Sequence, residues 1–157
     1  WYLKGRRILE RYHVAEQERR SKVVGVEREF IYPLGGHTVR GMVDRIDRLP
    51  DGRHEVIDYK THLDIESEEG LADDLQMRFY ALGAKEALAL EPSLLTLYYV
   101  AAGKKVSVVY ESRREPELKA LIEGTADAIE AGRFAPDPAF CPRCEFRKDC
   151  ALSSARD

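Results

Sequence analysis

No stretch of this sequence approaches the roughly 18 consecutive apolar residues that a membrane-spanning helix needs, and no charged segment followed by an apolar run opens it. The expectation is a soluble, cytoplasmic protein with no membrane contact. Cysteine is scarce: there are three, all between Cys141 and Cys150, an odd number too closely packed for a closed disulfide framework. A surplus of either charge is missing too. With 25 basic against 28 acidic residues and a net charge of −3, bulk electrostatics gives no argument for nucleic-acid binding, which must rest on local chemistry. Short basic clusters at Lys4-Gly5-Arg6-Arg7, Lys104-Lys105 and Arg113-Arg114 each read as solvated surface when taken alone. Internal repeats and low-complexity segments are absent, which excludes solenoids and linker arrays.

What is present suits one globular domain. The chain has 157 residues, 44% hydrophobic and 34% charged. Apolar positions at Leu3, Ile8, Leu9, Tyr12 and Val14 predict a surface helix over 2–20 with one buried stripe. Helical patterning from Trp1 onward reads as a piece cut from a longer polypeptide. Residues 21–34 change to β-branched and aromatic types in near alternation, and Leu34-Gly35-Gly36-His37 is a hairpin signal. Strands over 38–49 and 53–61 follow, joined by Pro50-Asp51-Gly52, so three antiparallel strands are expected in succession. The acidic residues 64–74 read as a loop leading into a helix over 71–90, which Glu91-Pro92 stops. Strands are predicted over 94–101 and 105–111, then a last helix over 116–132 and an irregular tail spaced by Pro136, Pro138 and Pro142. Residues 1–135 form the predicted core and 136–157 a cysteine-bearing tail.

The chemistry concentrates in Gly41-Met42-Val43-Asp44-Arg45-Ile46-Asp47 and Val56-Ile57-Asp58-Tyr59-Lys60-Thr61. Antiparallel pairing across the intervening turn brings the two segments together. Strand alternation puts Asp58 and Lys60 on one face and Tyr59 on the other. An arbitrary Asp-x-Lys is more often surface polarity, but these aspartates follow Met42-Val43 and Val56-Ile57, where a buried strand normally excludes charge. Two carboxylates and a strand carbonyl are hard oxygen donors suited to Mg2+ or Mn2+. A neighbouring lysine can orient a water and stabilise charge on a phosphoryl group. Asp47, three residues from Asp44, falls on the opposite face and reads as a surface charge or an arginine's partner. Glu27 and Glu29 lie on a strand and read as structural, with a supporting role open. His37 and His54 sit beside turns and are expected to be exposed.

These two segments, with Gln76 and Tyr80 four residues apart on one helical face, resemble the RecB-type nuclease module of the PD-(D/E)XK superfamily. The resemblance implies an α/β restriction-endonuclease-like fold, a mixed sheet flanked by helices. It implies that Asp44 and Asp58 bind the metal, that the Tyr59 backbone carbonyl joins them, and that Lys60 is catalytic. Gln76 and Tyr80 would border the site. The activity implied is Mg2+- or Mn2+-dependent hydrolysis of DNA, single-stranded or at ends, by an exonuclease module working with a helicase domain or subunit in recombination and repair. The family usually carries an upstream histidine near the metal; His13 lies in that region but outside the expected pattern, and His62 follows the motif.

Cys141, Cys144 and Cys150 form C-x2-C-x5-C. Zinc knuckles and iron-sulfur clusters both normally take four ligands, and no histidine or cysteine follows among the last seven residues. The tail resembles that of the iron-sulfur, AddB-like subset of these nucleases, in which a fourth cysteine precedes the core. The resemblance implies a 4Fe-4S cluster in the full-length protein. Two other classes stay open: a nuclease-like fold that binds DNA or a partner subunit without cutting, and a zinc-binding interaction module.

Overall fold

The computed structural model describes residues 2–155. Helix α1 (Tyr2–Gln17) precedes three strands, β1 (Lys22–Leu34), β2 (His37–Arg48) and β3 (His54–Lys60). Helices α2 (Glu68–Asp73) and α3 (Leu75–Leu88) follow, then β4 (Pro92–Tyr99), β5 (Lys104–Val109) and α4 (Glu115–Glu130). The chain divides into two compact units, Trp1–Leu121 and Ile122–Asp157.

One five-stranded sheet runs in the order β1-β2-β3-β4-β5. Neighbours are antiparallel except β3 and β4, which are parallel. A parallel pair cannot be closed by a hairpin and needs a long crossover, which α2 and α3 supply. This is the mixed, helix-flanked α/β architecture expected from the sequence. Gly35 turns the first hairpin at φ 58°, a conformation costly for a residue with a Cβ.

The core lies between α3 and the sheet. Met77, Ala81, Leu82 and Ala84 of α3 are buried with Val43, Ile46, Val56, Leu95 and Leu97 of the strands. The Phe30 ring fills the space between Gly41 and Gly83: a Cβ on either glycine would stand 2.3 or 2.4 Å from ring carbons. The continuous apolar run Leu94-Leu95-Thr96-Leu97-Tyr98-Tyr99 becomes β4, where both faces are covered.

Several expectations need correction. The acidic segment is not all loop: Ser67 caps α2 by accepting from Gly70 N at 3.0 Å, and Glu68 and Glu69 sit in the first turn, where they complement the helix dipole. Helix α1 has no buried residue, so its predicted apolar stripe is not a core face. Leu3, Leu9 and Val14 are exposed, because α1 meets the sheet and the turn after β4 through polar contacts: Arg11 donates to Val100 and Ala101, Tyr12 bonds Tyr59, and Glu16 accepts from Arg45. His54 is only 7% exposed, since its Nδ1 accepts from the Glu91 backbone N–H at 3.2 Å between β3 and β4; His37 is half-buried.

Candidate active site

The β2–β3 ladder runs Arg48↔His54, Asp47↔Glu55, Ile46↔Val56 and Arg45↔Ile57. One step further the backbone pairing stops, and the Asp44 side chain takes over. Its Oδ2 accepts the Tyr59 backbone N–H at 3.0 Å, so a carboxylate stands where a strand carbonyl would be. The first aspartate is thereby fixed against the peptide that joins Asp58 to Lys60.

Asp58 is 4% exposed at the end of β3. Lys60 Nζ stands 2.8 Å from Asp58 Oδ2, yet that oxygen makes no aligned hydrogen bond. Lys60 Nζ donates instead to Gln76 Oε1 at 3.0 Å, and Gln76 Nε2 donates to Tyr80 Oη at 2.8 Å. Gln76 in the first turn of α3 therefore holds the lysine from the far side, and Tyr80, one turn on, holds Gln76. Asp44, Asp58, Lys60, Gln76 and Tyr80 form one connected set.

Charge in this cluster is coupled. Burial raises the Asp58 carboxyl above the ordinary carboxylate range, the nearby charges of Asp44 and Asp74 raise it further, and Lys60 only partly offsets them. For Lys60, burial disfavours the ammonium, but the ion pair with Asp58 at 2.8 Å, with the charges of Asp74 and Tyr80, outweighs it and raises its pKa. Lys60 is therefore a cationic donor at neutral pH rather than a free base.

The Tyr59 side chain turns the other way, into a polar network under α1. Its hydroxyl meets Tyr12 Oη at 2.7 Å and Arg45 Nη1 at 3.1 Å. Arg45 also binds Glu16 and forks onto Asp47, with Nε to Oδ1 at 2.6 Å and Nη2 to Oδ2 at 2.8 Å. Asp47 joins Arg45, Arg19 and Ser21 and stands apart from the Asp58–Lys60 pair; it is fully buried, so only the arginine-partner half of its sequence reading holds.

Asp74 was missed by sequence reasoning. It caps α3 through Oδ1, which accepts from Met77 N at 2.8 Å, and it stands two residues before Gln76. The available signal was an aspartate immediately before an apolar helical pattern. The histidines do not enter the cluster: His13 is exposed beside Gln17 Nε2 at 3.1 Å, and His62 packs edge-on to Tyr99. Glu27 and Glu29 are exposed, and Glu29 pairs with Arg40.

The donor set fits a hard divalent cation. Asp58 contributes a buried carboxylate whose Oδ2 is ion-paired only to Lys60, a partner that a divalent cation could displace, and Asp44 a second carboxylate beside the same peptide. Among the described residues no three His, Cys, Asp or Glu side chains converge, so further ligands would come from main chain or water. In the second unit, Cys141–Arg143 is a single 3-10 turn, no disulfide joins the three cysteines, and hydrogen bonds from Ser154 hold the Cys141 thiol below its usual range. These thiols do not gather into a metal site among the described residues, and the chain supplies three where a four-cysteine cluster takes four.

Comparison with known proteins completes the picture. No curated protein matches the chain. The crystal structure of SSO0001 is similar in fold, with a TM-score of 0.56 and 18% sequence identity, covering 96% of this chain and 70% of that one. The PD-(D/E)XK nuclease superfamily matches residues 1–151, across both strand motifs, the α3 pair and the cysteines. The chain belongs to the PD-(D/E)XK nuclease superfamily.

Proposed function

We propose that this chain is a divalent-metal-dependent deoxyribonuclease that hydrolyses phosphodiester bonds at the Asp44–Asp58–Lys60 cluster. The observation that carries the reading is the buried Asp58 carboxylate: one oxygen lies 2.8 Å from Lys60 Nζ without a hydrogen bond, beside an Asp44 already locked to the Tyr59 peptide. Asp44, Asp58 and the Tyr59 carbonyl are the residues that would hold Mg2+ or Mn2+. The bound ion would polarise the phosphate and neutralise charge developing on it. Lys60 keeps its proton and donates from Nζ, meeting the negative charge that builds as the water's oxygen bonds phosphorus and the bond to the departing sugar oxygen breaks; the proton the water loses passes to solvent, which returns one to the sugar oxygen. Gln76 Oε1 fixes that ammonium at 3.0 Å, and Tyr80 fixes Gln76.

The finer reading is an exonuclease of RecB type that trims single strands or ends with a helicase domain or subunit, in recombination and repair. It is supported by the two strand motifs and the Gln76–Tyr80 pair. An AddB-like iron-sulfur role for Cys141, Cys144 and Cys150 is supported by their spacing alone, and no step of hydrolysis is routed through it.

The decisive comparison is between the parent and Lys60→Ala on labelled single-stranded DNA with Mn2+. The expected loss is about 10²–10³-fold in rate, the size associated with removing one preorganised charge-stabilising donor. A parent no faster than Lys60→Ala, while still binding DNA, would overturn the enzyme reading in favour of a nuclease-like fold that binds without cutting.

A further inference from the structure

Lys4, Arg7 and Arg11 are spaced three and four apart on α1 and share one helical face. With Leu3, Ile8 and Ala101 they line an open groove of about 330 Å3 that, among the described residues, no acidic side chain lines. Neither Lys4 nor Arg7 has an ion-pair partner among the described residues. Arg6 differs: it faces another way, along Tyr2, Gly5 and Leu9, and pairs with Glu10 at 2.7 Å.

The groove is tied to the reactive end of the sheet. Arg11 Nη2 donates to the carbonyls of Val100 and Ala101 at 2.9 and 2.8 Å, in the turn that follows β4. That turn admits the guanidinium at close range because Gly103, at φ 68°, has no Cβ; one placed there would stand 2.6 Å from Arg11 Nε. The turn in turn begins at Lys60: the Val100 N–H donates to the Lys60 carbonyl at 3.1 Å, and Tyr99 is the register partner of Lys60. Ala101 follows the register partner of Lys60 by two turn residues, a backbone separation on the order of 10 Å. The Lys60 side chain lies on the α3 face and α1 on the Tyr59 face, so a strand joining them passes over the end of the sheet; Arg7 and Lys4 stand about 6 and 10 Å along α1 from Arg11. A stacked strand covers the step to Arg11 in about three nucleotides and the full reach to Lys4 in roughly six, at ~3.4 Å each. Exposed Lys104, paired in register with Tyr99, adds a cation at the same edge.

We infer that the α1 groove is a binding track for the phosphodiester backbone of the DNA strand being cut, with Lys4 and Arg7 contacting phosphates and Arg11 holding the helix to the turn beside Lys60. The inference rests on the nuclease reading for its substrate, but its test does not need cleavage. Arg11 is left in place because it anchors the helix.

The experiment measures binding of a labelled oligothymidylate to the full chain in EDTA, across a salt titration, for the parent, Lys4→Gln/Arg7→Gln and Arg6→Gln. Losing two phosphate contacts should lower the salt slope by about 1.4 and weaken binding at low salt roughly tenfold, whereas Arg6→Gln should match the parent. An unchanged slope and affinity in the double variant overturns the track, as does an equal loss in Arg6→Gln. If polyglutamate at equal charge competes as well as unlabelled DNA, the groove is a site for an acidic protein and the DNA assignment falls. Should Lys60→Ala cleave as fast as the parent while the double variant still loses its slope, the nuclease mechanism fails and the DNA track stands.

Discussion

Asp47 is fully buried, yet its carboxyl is held below the ordinary range. Burial alone would raise it; the hydrogen bonds from Arg45 and Ser21 and the charges of Arg19 and Arg45 outweigh that cost. A carboxyl depressed in the folded state contributes stability that is fully present above its unfolded value, near 3.8, and is lost as pH falls through the lower folded value. Arg45 keeps Glu16 and Arg19 keeps Glu55, so Asp47→Asn should cost about 1.5–3 kcal/mol at pH 7, the size of a lost charge-assisted hydrogen bond. It should also flatten the loss of stability below pH 4; urea titrations at pH 7 and along an acid series read both effects. An unaltered acid slope would show that Asp47 is not the group responsible. Strand alternation alone was enough to separate Asp47 from Asp44. Its burial was illegible, because the charges that cover it come from Arg19 on the approach to β1 and Glu55 on β3, brought in by a fold that no local window contains.

At the scale of elements, the joint between α2 and α3 decides where Gln76 points. Asp74 ends α2, its N–H donating to Leu71 O, and begins α3 by capping Met77 N. Gln76 lies in the first turn after that cap, so the cap sets the azimuth from which it reaches Lys60. Asp74→Ala should lower stability by about 1 kcal/mol and slow single-turnover cleavage, while Asp74→Asn keeps the capping oxygen and should restore the stability. A denaturant midpoint for each variant, followed by rates under saturating DNA, separates capping from charge. If Asp74→Asn is as unstable as Asp74→Ala, the cap is not what Asp74 supplies. The long strands, the hairpin at Gly35 and the helix ending before Pro92 were readable, because turn residues and period changes are local signals. The α2–α3 break was not, since its Ser67 and Asp74 caps sit in a run whose acidity reads as loop. The fate of α1 was misread for the opposite reason: its apolar spacing is genuine, but the sheet answers it with hydroxyls and charges.

Across the whole molecule, one parallel step in an otherwise antiparallel sheet sets β3 beside β4 and brings α3 across its face. The result is that Asp44, Asp58 and Asp74, from three elements, act on one another closely enough to raise Asp58. A cation that binds only this folded arrangement relieves that repulsion and stabilises the entire unit, by about 2.7 kcal/mol at 100 times its dissociation constant. Mn2+ should thus raise the thermal midpoint of the parent, and raise it further in Lys60→Ala, where no ammonium competes for Asp58. Asp58→Asn should show no rise. The cysteines do not confuse the readout, because soft thiolates are poor partners for Mn2+. Protons compete for the same oxygen, and since the Asp58 carboxyl sits above the ordinary range, the Mn2+ effect should fade on acidification before exposed carboxylates begin to titrate. A midpoint that Mn2+ leaves unmoved in the parent, or moves equally in Asp58→Asn, would remove Asp58 from any metal site and with it the hydrolytic role assigned to this end of the sheet.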